Sequence, residues 1–227
     1  MTGPRFTCLI PAFNEAGRLP GVLQAVLGHP GIDRVLVVDD GSSDGTGDVA
    51  LKHGAELLRA PVNGGKTRAL SLGLQTVRTS HVLLIDADLR GLTPAALAAL
   101  IAPVAKGTAC ASLSLRGNAP WVWRRIGIDY ISGERALPMA LIADHLAALD
   151  RLPRFGFEVF LNARLIESNR PIAIVPWPEV ASPAKSLKRG LWPGLRADLA
   201  MLADITHTIG ITGFISQIRA LRKLRAR

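Results

Sequence analysis

The amino-acid sequence predicts an α/β protein, a mainly parallel sheet with helices on both faces. Three observations carry that prediction. Short apolar runs alternate with segments whose apolar residues recur at helical spacing. Polar clusters follow directly after Ile10, Val38 and Ile85, at the strand ends where open parallel sheets bind ligands. The chain is 227 residues long, 48% hydrophobic and 20% charged, enough to bury a core and unlike a disordered tail.

Phe6 to Ile10 is apolar and reaches Pro11, so it reads as a strand. Leu19, Val22, Leu23, Val26 and Leu27 share one helical face. Arg34 to Val38 is a buried strand closed by the Asp39-Asp40-Gly41 turn. Asp44 to His53 suits a helix ended by Gly54, and Ala55 to Arg59 a short strand. Lys66 to Val77 is helical, with Leu70, Leu74 and Val77 on one face, and His81 to Ile85 is a further buried strand. Pro94 opens an Ala/Leu helix, where its missing N–H is harmless, and Pro103 is expected just beyond its end. Ala109 to Leu115 alternates as a strand does. Helices are expected over Trp121 to Tyr130, Pro138 to Leu149 and Glu158 to Glu167, and a strand over Pro171 to Pro178. The last 35 or so residues read as helix interrupted at Gly210 and Gly213. No internal repeat or long linker divides the chain.

The two cysteines, Cys8 and Cys110, lie in apolar stretches and read as buried thiols of a reducing compartment. No run reaches the roughly 18–20 apolar residues of a spanning helix, and no signal peptide is expected. The net charge is +9, and +7 of it lies in residues 185–227, with nine Lys/Arg against Asp198 and Asp204. Such a balance favours an anionic partner. Ile211, Phe214, Ile215, Ile218, Leu221 and Leu224 line one helical face there, flanked by Arg219, Arg222, Lys223, Arg225 and Arg227. A basic amphipathic helix suits an anionic membrane surface, although packing on the body or an oligomer contact fits the same pattern. Trp121 and Trp123, beside Arg124 and Arg125, read either as a second interfacial anchor or as core. Nucleic acid is excluded as a partner, because the aromatic residues do not interleave with the basic ones.

Four clusters carry chemistry. The first is Pro11-Ala12-Phe13-Asn14-Glu15, a strand end and helix start. The second begins with Asp39 and Asp40, adjacent carboxylates that repel unless used; one there can accept the N3–H of uracil or bond a ribose hydroxyl. An ordinary capped turn is the alternative. The third is Asn63-Gly64-Gly65-Lys66-Thr67-Arg68, where backbone N–H groups at a helix start, with Lys66 and Arg68, suit a diphosphate. It is no P-loop, since the first glycine of that motif would fall at Ala60. The fourth is Asp86-Ala87-Asp88, whose spacing of two puts both carboxylates on one side of a continuing strand, a hard oxygen site for Mg²⁺ or Mn²⁺.

In order and spacing these clusters resemble the family 2 glycosyltransferases, over roughly residues 6–105. The matching strings are CLIPAFNEAGRLPGVL, VLVVDDGSSDGT, NGGKTRAL and VLLIDADL. The resemblance implies the GT-A fold and transfer of a sugar from a nucleotide-diphosphate donor with a divalent metal, Mg²⁺ or Mn²⁺, usually with inversion. By position, it implies that Pro11, Ala12 and Glu15 line the nucleoside pocket and that Asp40 holds the base, with uracil expected. Lys66 and Arg68 then lie near the base and diphosphate, Asp86 faces the ribose or the metal, and Asp88 ligates the metal. Ile131 to Leu137 and Gly156 to Val159 resemble segments of the polyprenyl-phosphate and phosphoglycerate branches. There Glu134 is a candidate general base, Asp129 a second, and Arg135 a phosphate clamp. A helix-starting salt-bridge cluster is the alternative for all three. The late histidine that many GT-A enzymes supply to the metal is absent from Val180 to Lys185, and His145 and His207 read as packing or surface residues.

The expected layout is a GT-A domain over residues 1–184, with a donor half at 1–105 and an acceptor half at 106–184, followed by a basic extension over 185–227. The expected protein is cytoplasmic, peripheral at the cytoplasmic face of the membrane, with a lipid- or phosphate-bearing acceptor. Two rivals are a non-catalytic nucleotide-binding protein that docks membranes and a sugar-nucleotide nucleotidyltransferase. The second would carry its Gly-rich basic loop after the first strand, where this chain has Pro-Ala-Phe-Asn-Glu.

Overall fold

The computed structural model describes residues 3–149, 152, 156–183 and 209–226. Its first half is a run of β–α units: β1 (Phe6–Ala12), α1 (Leu19–Val26), β2 (Arg34–Asp39), α2 (Thr46–Lys52), β3 (Glu56–Arg59), α3 (Lys66–Leu74) and β4 (His81–Leu84). α4 (Pro94–Ala105), β5 (Ala111–Arg116), α5 (Trp121–Ile126), β6 (Arg135–Pro138), α6 (Leu146–Leu149), α7 (Gly156–Ser168) and β7 (Ile172–Trp177) follow. A last helix, α8, spans 209–224.

The seven strands form one sheet in the order β3-β2-β1-β4-β6-β5-β7. β1 pairs in parallel with both β2 and β4, β2 with β3, and β5 with β7. β6 runs antiparallel to both of its neighbours, β4 and β5. The chain leaves β1 toward β2 and β3, then returns to β4 on the other side. The strand order therefore reverses beside β1, and a crevice opens there above the carboxyl ends.

β1 and β2 are apolar on both faces because both are covered. Leu9, Leu36 and Val38 face a cluster with Leu70 and Leu74 of α3, Leu161 and Leu165 of α7, and Leu221 of α8. The alternate residues Cys8, Ile10, Val35 and Val37 face a second cluster with Leu19, Val22 and Leu23 of α1 and Leu97 and Leu100 of α4. Cys8 and Cys110 are both buried free thiols.

Several local expectations are corrected. Pro103 lies inside α4, not beyond it. The buried Val104 draws the last turn onto the core, and Lys106 N–H still reaches the Ala102 carbonyl. α5 stops at Ile126 because Gly127 turns left-handed at φ 78° and closes it. Residues 135–138 form a strand, and 3-10 turns occupy Met139–Leu141 and Ala143–His145, so only Leu146–Leu149 of the helix expected there exists. α8 runs through Gly213 without a break.

α8 also resolves the amphipathic stripe. Leu221 is fully buried, and Phe214, Ile218 and Leu224 pack on the core. Phe214 stands edge-on to Trp123 and Tyr130, and the Tyr130 hydroxyl donates to Gln217 Oε1 at 2.6 Å. Ile211 and Ile215 instead remain exposed, at 66% and 42%. Trp123 is core, while Trp121 is exposed. The expected charges and histidine at Lys185, Lys188, Arg189, Arg196, Asp198, Asp204, His207 and Arg227 lie outside the described residues.

Candidate active site

Above the carboxyl ends of β1, β2 and β4 lies a cleft of about 210 Å³. It is lined by Pro11, Ala12, Phe13 and Glu15 after β1, Asp40 after β2, Lys66 and Ala69 of α3, and Asp86, Ala87 and Asp88 after β4. Three of the four sequence clusters fill it directly, and the Asn63–Arg68 segment contributes Lys66.

Asp40 is almost fully buried, and its two oxygens accept the Gly64 and Gly65 N–H groups at 2.9 and 2.7 Å. Those bonds bring the Gly-rich loop over the cleft and fix the start of α3. Gly41 permits the close approach: it is left-handed at φ 74°, and a Cβ there would lie 2.7 Å from the Asn63 nitrogen. The rest of the Asp39-to-Thr46 turn stitches loops together. Asn14 N–H donates to Ser42 Oγ, Ala16 N–H to Asp44, and Glu15 N–H to Thr46 Oγ1.

Asp39 does not line the cleft. Its carboxylate accepts the Ser42 N–H at 2.9 Å and lies 3.5 Å from Arg59, because successive strand residues point to opposite faces. Arg68 is exposed and is also outside the lining. Of the residues expected at the donor, these two therefore stand outside the lining.

Lys66 Nζ lies 2.7 Å from Asp86 Oδ1 and 3.5 Å from Glu158 Oε1 of α7. Burial alone would lower this ammonium, but Asp86 and Glu158 outweigh it and hold Lys66 above the ordinary lysine range. Gly133 sits against the pair: a Cβ there would fall 2.6 Å from Lys66 Nζ and 2.8 Å from Asp86 Oδ1.

Beneath the cleft is a buried polar cluster. Glu134 is fully buried and accepts from Ser114 Oγ at 2.7 Å, Ser132 Oγ at 3.1 Å and Arg116 at 3.3 Å. Burial raises its carboxyl, and Asp86 adds to the rise against the pull of Arg116. Asp129 is also fully buried, 3.5 Å from Arg116, and burial raises it too. Arg116 reaches Ser182 as well, and Glu134, Asp86, Asp129 and Asp88 together hold its guanidinium charged despite burial. Neither Glu134 nor Asp129, the two candidate bases, lines the cleft.

Arg135, expected as a phosphate clamp, is engaged inside the protein. It is buried and donates to the Ser132 carbonyl at 2.9 Å, Asn162 Oδ1 at 2.8 Å and the Tyr130 carbonyl at 3.3 Å. These bonds tie the 130–134 loop to α7 and occupy the guanidinium within the chain. Sequence reasoning assigned no role to Arg116 or Glu158. Arg116 ends β5 at the same sheet edge, the signal that could have found it; Glu158 lies far along the chain, and only the tertiary fold brings it to Lys66. His145 accepts from Arg164 beside Phe160.

Asp86 and Asp88 are hard oxygen donors fit for a divalent cation. Among the described residues, no group of three or more His, Cys, Asp or Glu side chains is placed to hold a metal. The donor set therefore fits an ion that takes one or two carboxylates and completes its shell with substrate phosphate and water, as Mg²⁺ commonly does.

This architecture is that of an α/β domain with its cleft at a strand-order reversal, and the family model for glycosyl transferase family 2 matches residues 7–147. The chain belongs to that family and is a glycosyltransferase with a GT-A fold. An uncharacterized glycosyltransferase of Mycobacterium tuberculosis is 36% identical, covering 72% of this chain and 80% of its own. A dolichyl-phosphate beta-glucosyltransferase of Drosophila melanogaster is 40% identical, but over only 35% of this chain and 29% of its own. Among solved structures, glucosyl-3-phosphoglycerate synthase from Mycobacterium tuberculosis, in complex with Mn²⁺, UDP-glucose and glycerol 3-phosphate, aligns with a TM-score of 0.68 at 25% identity. That alignment covers 88% of this chain and 79% of the synthase.

Proposed function

We infer that this glycosyltransferase moves a sugar from a UDP-sugar to a phosphate-bearing acceptor, assisted by Mn²⁺ or Mg²⁺ and with inversion at the anomeric carbon. The observation that carries the reading is the single cleft at the strand-order reversal, which joins Asp40, Lys66, Asp86 and Asp88. In this reading Pro11, Ala12 and Glu15 contact the nucleoside and Asp40 the base, while Asp86 and Asp88 meet the metal. A divalent ion there would neutralise charge growing on the diphosphate leaving group. Lys66 adds a second, preset positive charge beside the same phosphates, and such electrostatics can be worth several kcal/mol. The Mn²⁺ and UDP-glucose of the related synthase support the donor and metal assignments.

The acceptor follows from what faces the cleft. Inversion onto an alcohol needs a general base, whereas an ionised phosphate attacks without one. Glu134 and Asp129 lie beneath the cleft, paired with Arg116, and Lys66 is the cation that lines it, so a phosphate acceptor suits the site better. The dolichyl phosphate in the name of one related protein agrees with that class, and the glycerol 3-phosphate bound by the related synthase agrees with a phosphate-bearing acceptor more broadly. Residues 1–105 then serve the donor and 106–184 the acceptor. No helix among the described residues is long and apolar enough to cross a membrane. Exposed Ile211 and Ile215, with the adjacent cations of α8, favour reversible attachment to an anionic membrane face, which brings the enzyme to a lipid-linked phosphate.

Thermal denaturation with UDP-, GDP- and dTDP-sugars, each with and without Mn²⁺, tests this reading. A UDP-sugar with Mn²⁺ at about 100 times its Kd should stabilise by about 2.7 kcal/mol. Asp40→Ala should abolish nucleotide binding even without metal, and Asp88→Ala should remove mainly the Mn²⁺-dependent part. A larger response to GDP- or dTDP-sugars, or none to any, refutes the UDP assignment.

A further inference from the structure

Lys66 occupies an unusual place. Its ammonium touches the very carboxylate, Asp86, that the donor's metal would need. A second carboxylate, Glu158, stands 3.5 Å from the same nitrogen and is only 11% exposed. Gly133 walls the pair, leaving no side-chain volume between Lys66, Asp86 and the loop. One ammonium therefore has two anionic partners within reach, and a small shift of a flexible side chain exchanges one for the other.

We propose that Lys66 is the resident counter-cation of the metal carboxylate: it excludes bare divalent ions and yields Asp86 only when a nucleotide diphosphate arrives. A divalent ion entering alone must approach Asp86 against a positive charge already seated there, and it brings no anion to receive that charge. A nucleotide diphosphate changes the balance. Its oxygens and Glu158 together take up the ammonium, which frees Asp86 for the metal the nucleotide carries. Metal and nucleotide then enter as a strongly coupled pair, and the empty enzyme does not sit loaded with metal. Lys66 acts here as a positioning residue. The inference rests on the donor site proposed above but concerns the order of its filling.

The test needs no turnover. Free Mn²⁺ is measured by electron paramagnetic resonance in titrations of the full chain, with Mn²⁺ alone and with Mn²⁺ plus UDP. The wild-type protein should bind Mn²⁺ alone weakly, and UDP should tighten it by about tenfold or more. Lys66→Met should bind Mn²⁺ alone about tenfold more tightly, and the tightening by UDP should shrink by the same factor. Lys66→Arg, which keeps the charge, should behave as wild type. Glu158→Gln removes the second station and should weaken Mn²⁺ binding further. Lys66 is 38% exposed, so its variants should fold, which circular dichroism verifies. The proposal is overturned if Lys66→Met binds Mn²⁺ alone no more tightly than wild type, or if Lys66→Arg matches Lys66→Met. Failure of UDP to tighten Mn²⁺ in the wild-type protein would instead sink the donor reading, while the titrations with Mn²⁺ alone still decide the role of Lys66.

Discussion

Arg135→Met separates a structural arginine from a substrate-binding one. The guanidinium makes three hydrogen bonds, to the Ser132 carbonyl, Asn162 Oδ1 and the Tyr130 carbonyl. Removing it leaves the first two acceptors buried without that donor, while the Tyr130 carbonyl keeps the Asn162 amide at 3.0 Å. Each orphaned acceptor costs about 1–3 kcal/mol. Methionine fills much of the volume, and the buried charge no longer has to be desolvated, which returns part of the loss. The net expectation is a destabilisation of about 3 kcal/mol, a drop of about 6–12 °C in Tm for a chain of this size. Urea unfolding followed by circular dichroism measures it: the midpoint should fall by about 1 M with an unchanged slope. At low temperature the folded variant should retain substantial transferase activity, because the lost contacts are internal. An unchanged midpoint with abolished transfer would show that Arg135 reaches substrate, and the bracing role would be wrong.

Three further outcomes are expected. Leu221→Ala should cost about 2–4 kcal/mol in the same unfolding assay, while Ile215→Ala should stay within about 0.5 kcal/mol, because only the first is buried. The raised Glu134 carboxyl means that this group holds a proton more readily in the folded chain than in the unfolded one, so its contribution to stability is greatest below the ordinary carboxylate range and falls as pH climbs through it toward the raised native value. Glu134→Gln removes that fall, and urea midpoints from about pH 4 to about pH 8 should show the variant gaining on wild type as pH rises. Replacing Arg219, Arg222 and Lys223 by Glu should abolish low-salt sedimentation with phosphatidylserine vesicles while leaving the melting temperature nearly unchanged; equal sedimentation of both proteins refutes membrane attachment.

The donor half was legible because its signals are local. β1, β2 and β4 are each short apolar runs, and the polar residues after them land at the sheet edge by the geometry of parallel strands alone. That logic reaches Asp40, Asp86 and Asp88. It cannot separate Asp39 from Asp40, which depends on which face of β2 each side chain takes. The acceptor half resisted for a different reason. β6 is four residues, Arg135-Ala136-Leu137-Pro138, with a charge at one end and a proline at the other. Nothing in that string says strand; pairing to β4 and β5 makes it one. A buried arginine looks the same in sequence whether it binds substrate or its own loop. The α8 stripe is ambiguous in the same way, since six apolar positions on one face do not reveal that a body takes four and leaves two to solvent. Removing the helix to test membrane binding would take Leu221 out of the core, so charge reversal is the cleaner perturbation.

The reversed direction of β6 decides which loops can reshape the enzyme. In a parallel strand, the residues that reach the cleft are those that follow it. β6 enters the sheet from the cleft side, with Arg135 opposite Leu84 and Pro138 opposite His81. The loop before it, residues 127–134, therefore meets the substrate edge, and the turns after it, 139–149, begin at the far edge, where Met139 N–H bonds to Ser80. A library meant to exchange the acceptor should vary Ile131, the half-buried side chain of that loop, and spare its buried neighbours and Gly133, which has no room for a side chain. Variation confined to the second segment should change expression and melting temperature but not what the enzyme glycosylates.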